Sequence, residues 1–365
     1  MEASDPIVPP TDRAPRRRRA WWVLGGFVTL LAAGVVAAAF VRVPYFLLSP
    51  GSVRSTEPLI EVSGAPSYPS DGGEVGFTTV SLRHATALQA VIGWLDPTVE
   101  VVDEDVILGG QSEEENRQAN LQDMTSSKDK ATAVALDELG YEVPISGTGA
   151  IVFTVSPDVP ADAVLAPGDV IIGADGRPIT VADELVALVQ SKRPGDELQL
   201  VLERPGIDDP ITTYTSLASR PEDPNAPMLG IQLGTRDLQF DFPVDVTIDS
   251  GQVGGPSAGL AFTLGIMDVL TPDSITGGQR IATTGTIDLE GNVGPVGGVP
   301  QKTVAVRRAG AQLFLVPSSE YEQAKEFAGD MRVEPVDTID DALRVLSTIG
   351  GGAEAVEAQG VPAGG

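Results

Sequence analysis

The chain has 365 residues, a formal charge of −27, one histidine and no cysteine. That length allows two or three domains with separate cores. The charge excludes nucleic acid as a partner, since binding it needs basic surface. The missing thiols exclude disulfides, and His84 alone cannot assemble a zinc site, so no metal and no cofactor is expected.

Residues 1–19 read as a basic cytoplasmic tail ending in Arg16–Arg19, followed by an uninterrupted apolar run from Ala20 to Val41. At 1.5 Å per residue the run is long enough to cross a hydrocarbon layer of about 30 Å, which predicts one transmembrane helix over residues 20–42. Trp21, Trp22 and Tyr45 fit interfacial anchors, and the arginines keep the N-terminus inside. The expected location is therefore the cell membrane, single-pass, with the bulk of the chain extracytoplasmic. A cleaved signal peptide is the competing reading, but its apolar region usually runs about 7–15 residues.

Residues 43–140 read as an N-terminal extracytoplasmic α/β region. It has a strand over Val75–Leu82, an apolar helix about Ala87–Leu95, and a long polar helix closing at Leu136, Leu139 and Gly140. His84 reads as an ordinary helix-start residue. Glu113–Glu115 suit a dipole-favoured first turn rather than a metal site. Ser127-Lys128-Asp129-Lys130 matches an S-x-x-K pattern, but neither S-D-N nor K-T-G accompanies it, which leaves a polar helical turn.

From Tyr141 to Arg220 short strands alternate with turns: Ala150–Val155, Gly168–Ala174, an Asp175-Gly176 hairpin turn, a helix Val181–Gln190, and Leu198–Leu202. With Pro160-Ala161 and Leu165–Ile171 in the same order, this segment resembles a PDZ domain. The resemblance implies that an extended peptide adds as a strand while a glycine-rich loop holds its terminal carboxylate. Gly147-Thr148-Gly149-Ala150 is the candidate loop; the alternative is an ordinary turn leading into a strand. Pro221–Pro227 reads as a linker, 228–349 as the last domain, and 350–365 as a disordered tail.

In that last domain Gly255-Pro256-Ser257-Ala258-Gly259 precedes an apolar run through Leu260, Phe262, Leu264, Ile266, Met267 and Leu270, which predicts a helix opening at Pro256 and ending at Thr271-Pro272. A serine there would lie among free backbone N–H groups of Gly255 to Ser257, suited to an oxyanion. A G-x-S-x-G nucleophile elbow would need a later histidine, and none follows. A serine without histidine needs another base, and lysine serves if burial and a helix N-terminus keep it neutral. Lys302 follows Gly297-Gly298-Val299-Pro300 and begins a helix with Val304, Val306 and Ala309, stopped by Gly310.

Gly255–Gly259, then Thr283-Thr284-Gly285-Thr286-Ile287-Asp288-Leu289-Glu290-Gly291, then Val296-Gly297-Gly298 ending in Lys302, resembles the proteolytic domain of Lon-type serine proteases. The resemblance implies a catalytic dyad of Ser257 and Lys302, with Thr284 bonded to the lysine. Gly254 and Thr286 stand where many Lon enzymes carry acidic residues. No G-x-x-x-x-G-K-[ST] loop occurs, so cleavage is expected without ATP.

The whole is thus similar to membrane-tethered bacterial PDZ-Lon proteases. The expected fold class is a multidomain α+β and α/β chain with one transmembrane helix, a PDZ-like β-rich module and a Lon-type domain. Protein or peptide substrates and a ring-like homo-oligomer are the implied partners. A PDZ peptide-binding scaffold with an inactive or assembly-only protease fold is the rival reading.

Overall fold

The computed structural model describes residues 15–68, 72–220 and 224–351, with side chains in the N-terminal helix from Leu24 onward. The chain separates into two compact units. One takes residues up to 61, 67–134 and from 247 onward; the other consists chiefly of 135–246.

Helix α1 spans Pro15–Ala38 and leaves Leu24, Phe27, Leu30, Leu31 and Val36 exposed. Among the described residues no helix is long and apolar enough to cross a membrane. The side chains of Arg16–Arg19, Trp21 and Trp22, which set the expected orientation and anchoring, lie outside the described residues. Then come β1 (Arg42–Ser55), β2 (Glu74–Thr86), α2 (Ala87–Gly93), β3 (Glu100–Asp103) and α3 (Glu113–Glu138). His84 is not a helix-start residue but belongs to β2, where its Nε2 lies 2.9 Å from Glu113 Oε1. The helix start shifts to Ala87 because Thr86 caps it: Thr86 Oγ1 accepts the Gln89 N–H, and Gln89 Oε1 accepts the Thr86 N–H.

The second unit contains β4 (Ala150–Val155), β5 (Val170–Ala174), β6 (Arg177–Pro178), α4 (Ala182–Gln190), β7 (Glu197–Glu203), β8 (Ile211–Ser216) and β9 (Ile231–Thr235). The sheet order is β8-β7-β5-β4-β9, with β6 hairpinned onto β5. Asp175 and Gly176 both take positive φ, 47° and 75°, as a type I′ turn requires. Leu198, Leu200 and Leu202 alternate inward and are fully buried, packing in one core with Ile171, Leu185 and Leu188. Strand β9 corrects the expected boundary at 228. Its residues zip antiparallel onto β4, Ile231 opposite Val155 and Leu233 opposite Val152, because Ile231 and Leu233 supply apolar side chains to this core. The expected linker is not a spacer where it is described, since Pro227 and Met228 pair with Ser219 and Ala218; residues 221–223 lie outside the described residues.

The chain then forms α5 (Gly259–Leu270), β10 (Arg280–Thr283), α6 (Val299–Ala309), β11 (Leu313–Pro317), α7 (Tyr321–Ala328), β12 (Arg332–Val336) and α8 (Ile339–Ser347). Their strands join those of the N-terminal region in one sheet, ordered β12-β11-β10-β2-β1-β3. Residues 43–140 are therefore not a separate domain. The pairing of β12, β11, β10 and β2 is parallel, and Val75, Gly76 and Phe77 lie opposite Ile281, Ala282 and Thr283. Val75 and Phe77 are fully buried, so β2 cannot stand as a half-exposed strand of a small domain. Helix α5 is buried along its whole length and apolar except for Thr263 and Asp268, with Phe262 5.5 Å from Phe77. The expected tail falls outside the described residues except for Gly350 and Gly351.

One buried charge in the second unit sets a stability test. Asp169 is fully buried and accepts the Ala166 N–H at 2.9 Å and two Arg204 N–H groups at 2.7 and 2.6 Å. Arg204→Met leaves that carboxylate dry and unpaired. Urea unfolding of the full chain should show a loss of about 3 kcal/mol, the low end for breaking a buried pair, because Arg204 keeps 33% of its side chain exposed. A loss within error of zero would show that the pair is not a folding constraint.

Candidate active site and peptide groove

The candidate serine is held by its carbonyl. Strand β10 runs into Thr284 and Gly285, and the Ser257 carbonyl accepts the Gly285 N–H at 3.1 Å and the Thr284 hydroxyl at 3.3 Å. The Thr284 N–H in turn donates to the Leu315 carbonyl of β11. These bonds explain why the helix opens at Gly259, with Ala258 as its cap, and not at Pro256: Gly255 turns the chain at φ 87°, and the Ser257 carbonyl is committed to the sheet. Ser257 is left half-buried in the turn just before α5.

Helix α6 brings the lysine. Gly298 caps it, and Lys302 lies in its first turn with a side chain only 2% exposed. Its Nζ donates to Thr284 Oγ1 at 3.1 Å. The threonine hydroxyl therefore has both roles filled, accepting from the amine and donating to the Ser257 carbonyl. Burial pushes the Lys302 amine down to about 8, against an opposing pull from the Glu320 carboxylate. A lysine so placed is neutral in about one molecule in ten at pH 7 and in about half at pH 8, far more than a solvated amine, as a proton acceptor needs. Ser257 and Lys302 line one cavity of about 660 Å³, with Arg54, Phe77, Asn120, Gly297 and Gly298 on its walls.

The expected oxyanion donors need correction. The Gly255 N–H is spent on the Asn120 carbonyl at 2.7 Å, and Pro256 has no N–H. Among the described residues the N–H groups of Ser257 and Ala258 have no such protein partner, so these two, and not Gly255 or Pro256, are the donors left free in this loop. Helix α3 pins this loop twice, through Asn120 and through Ser127, whose hydroxyl donates to the Pro256 carbonyl at 3.0 Å. Ser127, read as part of a polar turn, is buried and serves the loop. Asn116, Asn120 and Ser127 recur at helical spacing, a signal that marks one polar face of α3 but not what it faces. The close approach also accounts for Gly254: a Cβ there would lie 2.9 Å from the Asn120 Cβ, so an acidic side chain cannot enter. Among the described residues no group of three potential ligands could hold a metal ion.

In the second unit the structure does not support Gly147–Ala150 as a carboxylate loop. The Thr148 N–H donates to Arg236 O, the Gly149 N–H to Thr180 O, and Ala150 is fully buried in β4. The Thr148 and Gly149 donors that a carboxylate would need are already used by the fold. A cavity of about 520 Å³ lies elsewhere, between Leu185, Val186 and Val189 of α4 and the segment from Met228 to Leu233. Strand β9 is an edge of its sheet, and Gly230 turns into it at φ 75°. An edge strand beside a helix is the geometry for strand addition. The signal in the sequence was the run Met228-Leu229-Gly230-Ile231, an apolar-glycine-apolar turn ahead of a strand, which the expected boundary at 228 assigned to the wrong unit.

Two family models match the chain. Residues 124–214 match the model of the PDZ domain, and 235–348 match that of the Lon protease (S16) C-terminal proteolytic domain. The chain is 33% identical over 120 residues to the Lon protease of Campylobacter concisus, covering 31% of this chain and 15% of that protein. It is also 33% identical over 115 residues to Lon protease 1 of Myxococcus xanthus, covering 30% and 14%. The chain thus spans about one seventh of the length of these relatives. The PDZ domain of the SdrC-like protein from Listeria monocytogenes is 29% identical, covers 24% of this chain and 87% of its own, and has a TM-score of 0.22. The chain carries a PDZ domain followed by a proteolytic domain of the Lon type, the domain of a serine peptidase.

Proposed function

We propose that the chain is an ATP-independent Ser–Lys endopeptidase, tethered to the membrane by its N-terminal apolar helix and acting on extracytoplasmic protein substrates. The observation that carries this reading is the chain of hydrogen bonds from buried Lys302 through Thr284 to the Ser257 backbone, set in a cavity that both dyad residues line. Neutral Lys302 takes the Ser257 hydroxyl proton as Oγ attacks the peptide carbonyl. The N–H groups of Ser257 and Ala258 receive the oxyanion. The lysine then returns the proton to the departing amine, and water repeats the cycle on the acyl-enzyme. The groove beside β9 is suited to hold an extended segment of the substrate. Arg220, at its rim, is suited to a terminal carboxylate. Tethering draws support from the Ala20–Val41 run and from the exposed apolar side chains of α1.

The dyad is tested by variants of the full chain on unstructured fluorogenic peptides. Ser257→Ala and Lys302→Met should each reduce turnover to background with thermal melting preserved. Thr284→Val, which removes an orienting bond worth about 0.5–1.5 kcal/mol, should retain measurable activity. Substantial turnover by Ser257→Ala would reject the mechanism, and inactive but folded wild type would favour a peptide-binding scaffold.

The pH dependence has a definite sign. The lysine is depressed from 10.5 to about 8 and works in its neutral form, so kcat/KM should climb as pH rises through about 8. A flat profile from pH 6 to 10 would exclude Lys302 as the base.

Topology is open to reporter fusions. A fusion after Gly350 should be active only with an exported reporter, and carbonate washing should leave the chain in the membrane pellet. Release of a chain lacking Ala20–Val41 into the medium would favour a cleaved signal peptide.

A further inference from the structure

Glu320 closes the short 3₁₀ turn Ser318–Glu320 between β11 and α7. Its Oε1 accepts the Val296 N–H at 2.9 Å, and Val296 precedes Gly297 and Gly298 on the wall of the Ser257–Lys302 cavity. Its Oε2 is shielded from solvent and makes no hydrogen bond among the described residues. An acceptor left dry in this way costs free energy unless a nearby charge compensates it. The segment it holds leads into Gly298, which caps α6 and accepts the Lys302 N–H at 2.9 Å. Burial raises the Glu320 carboxyl while the Lys302 charge lowers it, and among the described residues Glu320 is the group whose charge opposes the effect of burial on Lys302. The other cations of the surrounding elements are engaged elsewhere. Arg54 of β1 lies 5.6 Å over the Phe77 ring and reaches the Ser250 carbonyl. Lys325 of α7 lies over the Tyr321 ring, and Arg307 of α6 donates to the Phe327 carbonyl. Arg308 of α6 is exposed.

We infer that Glu320 is a positioning residue for the proposed hydrolysis: one carboxylate oxygen fixes the 296–298 loop at the cavity wall, and the carboxylate charge steadies the Lys302 ammonium. The inference rests on the Ser–Lys reading. As the Ser257 Oγ–C bond forms, the hydroxyl proton passes to Lys302 Nζ, where it stays until the C–N bond breaks and the leaving nitrogen takes it. The ammonium exists only between those two transfers, inside a buried pocket that otherwise opposes it. A fixed anion close by lowers the cost of that intermediate state, and by the same interaction it stops burial from driving the lysine so low that it would bind the proton too weakly. Neither effect was legible in the sequence, where Glu320 follows two serines after a strand and shows no motif.

The test compares wild type, Glu320→Gln and Glu320→Ala in the full chain labelled with ¹³Cε-lysine, the Lys302 resonance being assigned with Lys302→Met. Glutamine keeps an acceptor for the Val296 N–H and removes only the charge. In Glu320→Gln the Lys302 titration midpoint should fall by about one unit, the low end for loss of a neighbouring opposite charge. The rising limb of the peptide-hydrolysis profile should move to lower pH with it. Glu320→Ala should show the same shift and, with the loop released, a raised KM as well. An unmoved Lys302 midpoint in Glu320→Gln overturns the role, whatever happens to activity in Glu320→Ala. Because the midpoint is read without turnover, a shifted midpoint in a protein that cleaves no peptide would count against the peptidase reading alone and would leave the Glu320–Lys302 coupling standing.

Discussion

A lysine amine gives up its proton near neutral pH only where the protein removes it from water, and the first unit holds Lys302 in such a place. The Lys302 side chain is 2% exposed, yet it keeps one hydrogen bond, to Thr284. The bond leaves the amine desolvated enough to lose its proton readily without leaving it wholly unsatisfied. Because the same hydroxyl also donates to the Ser257 carbonyl, the Lys302 amine and the Ser257 backbone are tied to a single side chain. The β10–β11 pairing supports that side chain, with the Thr284 N–H bonded to Leu315.

Rigidity around the serine comes from packing on several sides. Helix α5 is buried along its length, which fixes its N-terminus, and the Gly254–Ser257 loop before it is held by Asn120 and Ser127 of α3. The loop is thus placed by a helix more than a hundred positions earlier in the chain. The strands β1 to β3 and helix α3 are as much a part of the proteolytic unit as the motifs themselves. The chain leaves this unit near Val134 and returns at Thr247, so the PDZ unit is an insertion between two halves of one core. A long-range parallel pairing such as Val75 opposite Ile281 is closed across that insertion, and such closures cost chain entropy before any contact rewards them.

In the second unit the helix α4 and the strands β4, β5 and β7, unlike β8 and β9, could be read from alternation and turn chemistry, because Leu198, Leu200 and Leu202 repeat at period two and Asp175-Gly176 is a turn signal that acts locally. The groove could not. Gly147–Ala150 and Met228–Ile231 are both glycine-containing turns ahead of strands, and in the first the Thr148 and Gly149 N–H groups are consumed by distant carbonyls. That depends on Thr180 and Arg236, which sequence proximity does not reveal.

What the sequence by itself determined was the set of candidate groups: a serine before one helix, a lysine at the start of another and a threonine beside a strand end, with a single histidine and no cysteine to offer alternatives. Residue type and local propensity are written in short segments, and short segments suffice for them. Tertiary structure alone decided which N–H groups stay free, that those of Ser257 and Ala258 and not of Gly255 are among them, that β9 belongs to the PDZ sheet, and that Glu320 holds the Val296 N–H ahead of the Lys302 helix. Each of these depends on burial or on hydrogen-bond partners drawn from far along the chain. Burial and partner choice are properties of the folded arrangement, and no local pattern of residues encodes them.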